Sequence, residues 1–283
     1  MTHRLLKSSV SLAAAVAAWW WMPLHAGAQG ASAQGGRSAS SVSTPRTADG
    51  HPDLSGLWTI TAARNLVVDA KGNIIANGLA RDASPVNSER DATLARRADP
   101  NRPVYKPEFW QKVHDLDYNG NEEDPAFSCM AAGVPRMGAP SKIVQTPREI
   151  IFLYQAHNIF RLIPTDGRPH DPLKSEDPTL MGDSVAHWEG DTLVIDVVGF
   201  VDTSWLDIAG YFHSENLHVT ERLTREGDTI RYQATVEDPT VLVKPWVRNP
   251  VTLRLNPDPK ETLWEDPPCI ERDLVHFVTK EHH

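Results

Sequence analysis

Long apolar runs are scarce in this chain. Beyond the first two dozen residues, no segment reaches the ~18–20 uninterrupted apolar residues a helix needs to cross a bilayer. Cysteine is close to absent, with Cys129 and Cys269 alone among 283 residues. Two thiols so far apart exclude a Cys-x-x-Cys motif and a disulfide-dense miniature scaffold. Basic charge is outnumbered, 28 Lys and Arg against 37 Asp and Glu, for a formal net charge of −9. That balance argues against nucleic acid and anionic membranes as partners. Signatures of the common enzyme mechanisms are missing too. There is no Gly-x-Ser-x-Gly elbow, Walker-type loop, Gly-x-Gly-x-x-Gly fingerprint or His-Glu-x-x-His pair. Serine hydrolase, NTPase, Rossmann oxidoreductase and zincin readings therefore start with no support.

What is present begins with a leader. Arg4 and Lys7 precede the apolar run Val10–Trp21, and Ala26-Gly27-Ala28 offers small residues for cleavage. This is the pattern of a signal peptide over residues 1–28. Its removal takes Arg4 and Lys7 away and moves the net charge from −9 to −11. Residues 29–50, rich in Ser, Ala and Gly, read as a flexible leader. Residues 51–283 then suit a single β-rich domain with an irregular insertion at about 80–140. A periplasmic or secreted protein is expected, with no membrane span after cleavage. In such a compartment Cys129 and Cys269 are expected to form a disulfide.

The domain reads as mainly β. Asp53–Ile60 has the character of a first strand, and Glu149–Gln155 and Asn158–Pro164 form β-rich runs joined at Ala156-His157. Val185–Glu189 and Thr192–Phe200 flank Gly190-Asp191, and Leu217–Arg225 and Thr229–Glu237 flank Gly227-Asp228. Connections of two residues join only antiparallel neighbours, so a meander follows. Ile230, Tyr232, Ala234 and Val236 alternate with polar residues, as a sheet packed on a core or closed into a barrel requires. Val251–Leu255 and Leu274–Thr279 complete the strand candidates. The insertion is expected to be partly helical, around Val86–Ala98 and along a stripe of Phe109, Trp110, Val113 and Leu116.

Candidate chemistry sits in loops at strand ends. His213 lies between aromatic Tyr211-Phe212 and Glu215, a setting that can hold an imidazole in one tautomer and tune it toward neutrality. His213, Glu215, Asp202 and Asp183 are the candidate acid–base groups. Trp188, Trp205, Tyr211, Phe212, Arg168 and His170 are the candidate substrate contacts, although the aromatics could equally form an end plug. Asp196 shares a strand face with Val194 and Val198, so it is expected to point inward and pair with Arg161 or Arg222. No cofactor is expected. The alternative is Zn or Cu held by His170, His187, His213 and His218, for which the spacing offers little support.

Gly56-x-Trp58 resembles the opening motif of lipocalin-like barrels, whose tryptophan plugs one end of the barrel. The wider set Pro52-Asp53-Leu54-Ser55-Gly56-x-Trp58, Trp188-Glu189-Gly190-Asp191-Thr192-Leu193-Val194, His213-Ser214-Glu215 and Thr220-Glu221-Arg222 resembles a broad family of exported bacterial proteins. The resemblance runs from His51 to about Trp246, and the two cysteines also fit it. It supplies no reaction. One departure is Gly182-Asp183-Ser184, where the family has Gly-His-Ser, which puts in doubt any role needing an imidazole there. The resulting expectation is an exported enzyme using cofactor-free His/carboxylate chemistry on a small apolar or aromatic substrate. A lyase, isomerase or hydratase fits best, since no activated nucleophile is evident. A carrier of a hydrophobic ligand and a metalloprotein are the alternatives.

Overall fold

A computed structural model describes residues 43–61, 66–68, 74–76, 99–119, 123–258 and 260–267. The expected signal peptide, the first part of the expected leader, residues 80–98 (with the expected helix around Val86–Ala98) and 120–122 of the insertion, Leu274–Thr279 and Cys269 lie outside the described residues. The fold is mainly β, an antiparallel sheet nearly closed into a barrel. Its strands are β1 (Gly56–Thr61), β4 (Lys142–Gln145), β5 (Glu149–Tyr154), β6 (Ile159–Pro164), β7 (Asp183–Glu189), β8 (Thr192–Val198), β9 (His218–Glu226), β10 (Thr229–Glu237), β11 (Trp246–Val247) and β12 (Val251–Leu255). A separate hairpin pairs β2 (Leu66–Val68) with β3 (Ile74–Ala76). Two short helices, α1 (Trp110–Asn119) and α2 (Pro172–Glu176), lie outside the sheet.

The strand order β6-β5-β4-β1-β12-β10-β9-β8-β7 is that of an up-and-down barrel. Within β4–β6 and within β7–β10 neighbours in sequence are neighbours in space, and β1 joins the two runs by pairing with both β4 and β12. The remaining gap lies between β6 and β7, which share no ladder among the described residues. Both Gly-Asp turns occur as read. Gly190 and Gly227 each sit at φ 59, where a side chain would be strained.

Alternation fills the interior. Ile150, Phe152, Ile163, Leu193, Ile195, Leu223, Ile230 and Leu253 all point inward and are at most 1% exposed. Full burial of one such side chain contributes about 1.5–3 kcal/mol, so this set dominates the stability. The registers divide the barrel into two ends. One carries the tight turns and is crossed by residues 44–55. There Trp58 donates to Leu54 O at 2.9 Å and packs under the Arg225 guanidinium at 5.0 Å, closing that end. The other end carries the long segments 99–119, 123–141, 199–217 and 238–250.

Phe109, Val113 and Leu116 of the expected helical stripe do pack on the core, whereas Trp110 is 62% exposed. Gly210 fixes how α1 meets the 199–217 loop. A Cβ there would stand 2.5 Å from Val113 O and 2.7 Å from Asp117 N, and φ is +71. No helix among the described residues is long and apolar enough to cross a membrane. No free thiol occurs among them either.

Candidate functional site

A dense set of ionisable groups lies on the outer face of the barrel at the long-loop end. Asp183 opens β7, Asp196 lies near the end of β8, His218 opens β9 and Glu237 ends β10. Alternation puts all four on the outward face, and the Gly227-Asp228 turn sets His218 opposite Glu237. Residues 165–182 return from the end of β6 and deliver His170 and Lys174 to the same place.

Asp196 is the centre of this cluster. One carboxylate oxygen meets His170 Nε2 at 3.1 Å, and the other meets His218 Nε2 in a close contact. His170 Nδ1 faces Asp183 Oδ2 at 3.0 Å, and His218 Nδ1 lies 3.5 Å from Glu237 Oε2. Asp183 also accepts from Lys174 Nζ at 2.8 Å and from the Asp171 backbone N–H at 3.1 Å. Both ring nitrogens of His170 thus face carboxylate oxygens. Burial pushes both Asp183 and Asp196 upward, but the donors outweigh it and hold both carboxyls below the usual range. Asp196 and His218 are each 38% exposed at the side chain, so a solute can reach them.

His213 sits elsewhere, inside the loop cap, with only 3% of its surface exposed. Its Nδ1 donates to Ser214 O at 2.8 Å, which leaves Nε2 to accept from Ser204 Oγ at 2.8 Å. Burial lowers its pKa, partly countered by the Ser214 bond and by the charges of Asp238 and Asp202. It is therefore a neutral imidazole in a fixed tautomer, as its aromatic setting suggested. Glu215 and Asp202 are exposed, and the partners of His213 are the serines instead. Asp238 anchors the loop by accepting from Ser214 N and Oγ at 2.7 and 2.9 Å.

The expected aromatic contacts divide between the two ends. Trp205 and Phe212 are buried and bridge one another, and Tyr211 stacks on Tyr105 at 6.2 Å. Phe212 also meets Tyr105 and Phe109, so these rings plug the long-loop end. Trp188 stacks on His51 at 4.6 Å near the tight-turn end. Arg168 pairs with Asp166 on an exposed loop. The four histidines of the metal alternative do not gather. His187 pairs with Glu189 on the exposed outer face and His213 is inside the cap. No group of three or more His, Cys, Asp or Glu among the described residues stands ready to hold a metal ion.

The inward placement expected of Asp196 is overturned. Alternation tells which residues share a face, but not which face is buried. Leu193, Ile195 and Val197 take the inside, leaving Asp196 outside with His170 and His218. The two arginines expected as its partners go elsewhere: Arg161 meets Glu221 inside the barrel, and Arg222 meets Glu189 outside. Ser204, Lys174, Glu237 and Asp238 were missed. The two-residue turn at Gly227-Asp228 would have found Glu237, because it fixes the pairing with His218 by counting alone. Nothing comparable links Ser204 to His213. Comparison with protein-family models, curated proteins and solved structures gave no match.

Proposed function

We propose that the protein is an exported enzyme that moves protons on a small organic molecule, with its reaction centre at His170, Asp196 and His218. The observation that carries this reading is the sharing of Asp196 by two imidazoles on a face that solvent reaches. A carboxylate bound to a ring N–H holds the imidazole in one tautomer and stabilises its cation. With Nε2–H given to Asp196, His218 keeps the lone pair on Nδ1 and takes a proton from substrate there. Asp196 and Glu237 then flank the imidazolium. His170, bound by a carboxylate at each nitrogen, positions Asp196; the proton held on His218 Nδ1 returns to the substrate from there, which restores the neutral imidazole.

Imidazoles, carboxylates and an ammonium take and give protons, which favours a lyase, isomerase or hydratase over covalent hydrolysis. Carriage of an apolar ligand inside the barrel has less support, because Phe152, Ile163 and Leu223 occupy the inward positions. The test compares purified wild type with His218→Gln and Asp196→Asn on a mixture of small bacterial metabolites, followed by mass spectrometry. Wild type alone should deplete a compound, and the variants should keep the wild-type thermal midpoint to within a few degrees. Equal depletion by His218→Gln would remove the proposal.

A further inference from the structure

The polar network inside the barrel has two unpaired atoms. Arg161 on β6 and Glu221 on β9 approach to 2.7 Å, Nη2 to Oε2, with side chains 2% and 0% exposed. Nη2 donates one N–H to Ser184 Oγ on β7 at 2.8 Å, and its approach to Glu221 Oε2 lacks hydrogen-bond alignment. Tyr232 donates to Glu221 Oε1 at 2.7 Å, and Arg161 Nη1 donates to the Tyr154 hydroxyl at 3.3 Å. A buried donor, Arg161 Nε, and a buried acceptor, Glu221 Oε2, remain without a hydrogen-bond partner. Buried polar groups are almost always paired with protein, water or ligand.

The two unmet atoms are of opposite kind and adjacent, since Nε and Nη2 belong to one guanidinium. One group that accepts from Nε and donates to Oε2 satisfies both. Charge decides what that group is. Arg161 and Glu221 cancel, so an added anion or cation would be buried without a counter-charge, at high cost. A neutral hydroxyl carries the acceptor and the donor with no net charge. The position also lies at the open seam of the sheet. Paired strands are drawn to ~4.8 Å, whereas β6 and β7 are joined at Arg161 and Ser184 by a side-chain bond and no ladder.

We infer that the barrel interior holds a binding site for one neutral hydroxyl, between Arg161 Nε and Glu221 Oε2 beside the β6–β7 seam. Water and the hydroxyl of a small alcohol or phenol share this chemistry. The site is independent of the reaction centre on the outer face.

The test is nuclear magnetic resonance on the ¹⁵N-labelled mature protein, with the Arg161 Nε–H signal assigned through bonds from its own backbone. A cross-peak from Nε–H to water identifies the hydroxyl as water. A saturable shift on adding phenol, with loss of that cross-peak, identifies it as a ligand hydroxyl. Absence of both overturns the inference, as does an equal shift with acetate, which would mean an anion site. Ser184→Ala keeps the ion pair and should keep the Nε–H contact. Loss of the contact in that variant would make Ser184 the true partner and also overturn the inference.

Discussion

Removing one half of the Arg161–Glu221 pair should be among the most damaging single changes in this protein. Glu221→Leu leaves the guanidinium, 2% exposed, facing an apolar side chain, and removes the acceptor of Tyr232. Breaking a buried ion pair this way costs ~3–5 kcal/mol, and the stranded Tyr232 hydroxyl adds ~1–3 kcal/mol. A domain of this size loses about 2–4 °C of midpoint per kcal/mol. The pair cost alone therefore predicts a fall of about 6–20 °C. Arg161→Met should fall by a similar amount, because it leaves Glu221 at 0% exposure without its cation.

The double variant Arg161→Met/Glu221→Leu separates charge from packing. Apolar replacement of both partners is often neutral or stabilising by about 1–4 kcal/mol, so the double should be more stable than either single. Urea denaturation of the mature protein at neutral pH measures all four corners of the cycle. The reasoning fails if either single costs under ~1 kcal/mol, or if the double costs the sum of the singles. The first result would mean that the pair is solvated like a surface pair, beyond a single bound hydroxyl, and the second that the two side chains act independently.

Two further outcomes follow from the geometry, and a third from the expectation of a disulfide in an exported chain. His213→Ala should lower stability by ~1–3 kcal/mol through the stranded Ser204 and Ser214 groups, read as a drop in thermal midpoint; an unchanged midpoint would deny it a structural role. Because folding lowers the His213 pKa, the unfolded chain binds its proton first as pH falls below the ordinary 6.5. Its contribution is thus complete above that value and is lost as pH falls toward the folded value, so the variant should show a flatter stability profile there. Gly210→Ala should cost more than ~1 kcal/mol, given its positive φ and the 2.5 Å approach to Val113 O, and a neutral result would show that the loop shifts freely on α1. Mass analysis with an alkylating reagent should find both cysteines labelled only after reduction, and labelling without reductant would exclude the Cys129–Cys269 disulfide.

The strands were legible because their signals are local. Period-two alternation along β8, β9 and β10, and glycines at the two Gly-Asp turns, record a fold in which each strand pairs with its chain neighbours. The place of Trp58 at one end of the barrel was expected instead from the resemblance of Gly56-x-Trp58 to a lipocalin-like opening motif, and it reaches four residues back to Leu54 O. The proposed reaction centre was only half legible. Asp183 and His170 stood out as loop residues, but His170 meets Asp196 across 26 residues, and His218 meets it across 22. His213 drew attention through its aromatic neighbours, which turned out to bury it.

By itself, then, the sequence determined the meander, its tight turns and which side chains share a strand face. Those depend on bonds between residues a few positions apart, and the chain writes them directly. Tertiary structure alone decided which face is inside. Closing the sheet sends one face to the core, so Glu221 became a buried partner of Arg161 while Asp196 was left outside for two histidines. That choice depends on the summed burial of all strands together, which no single segment encodes.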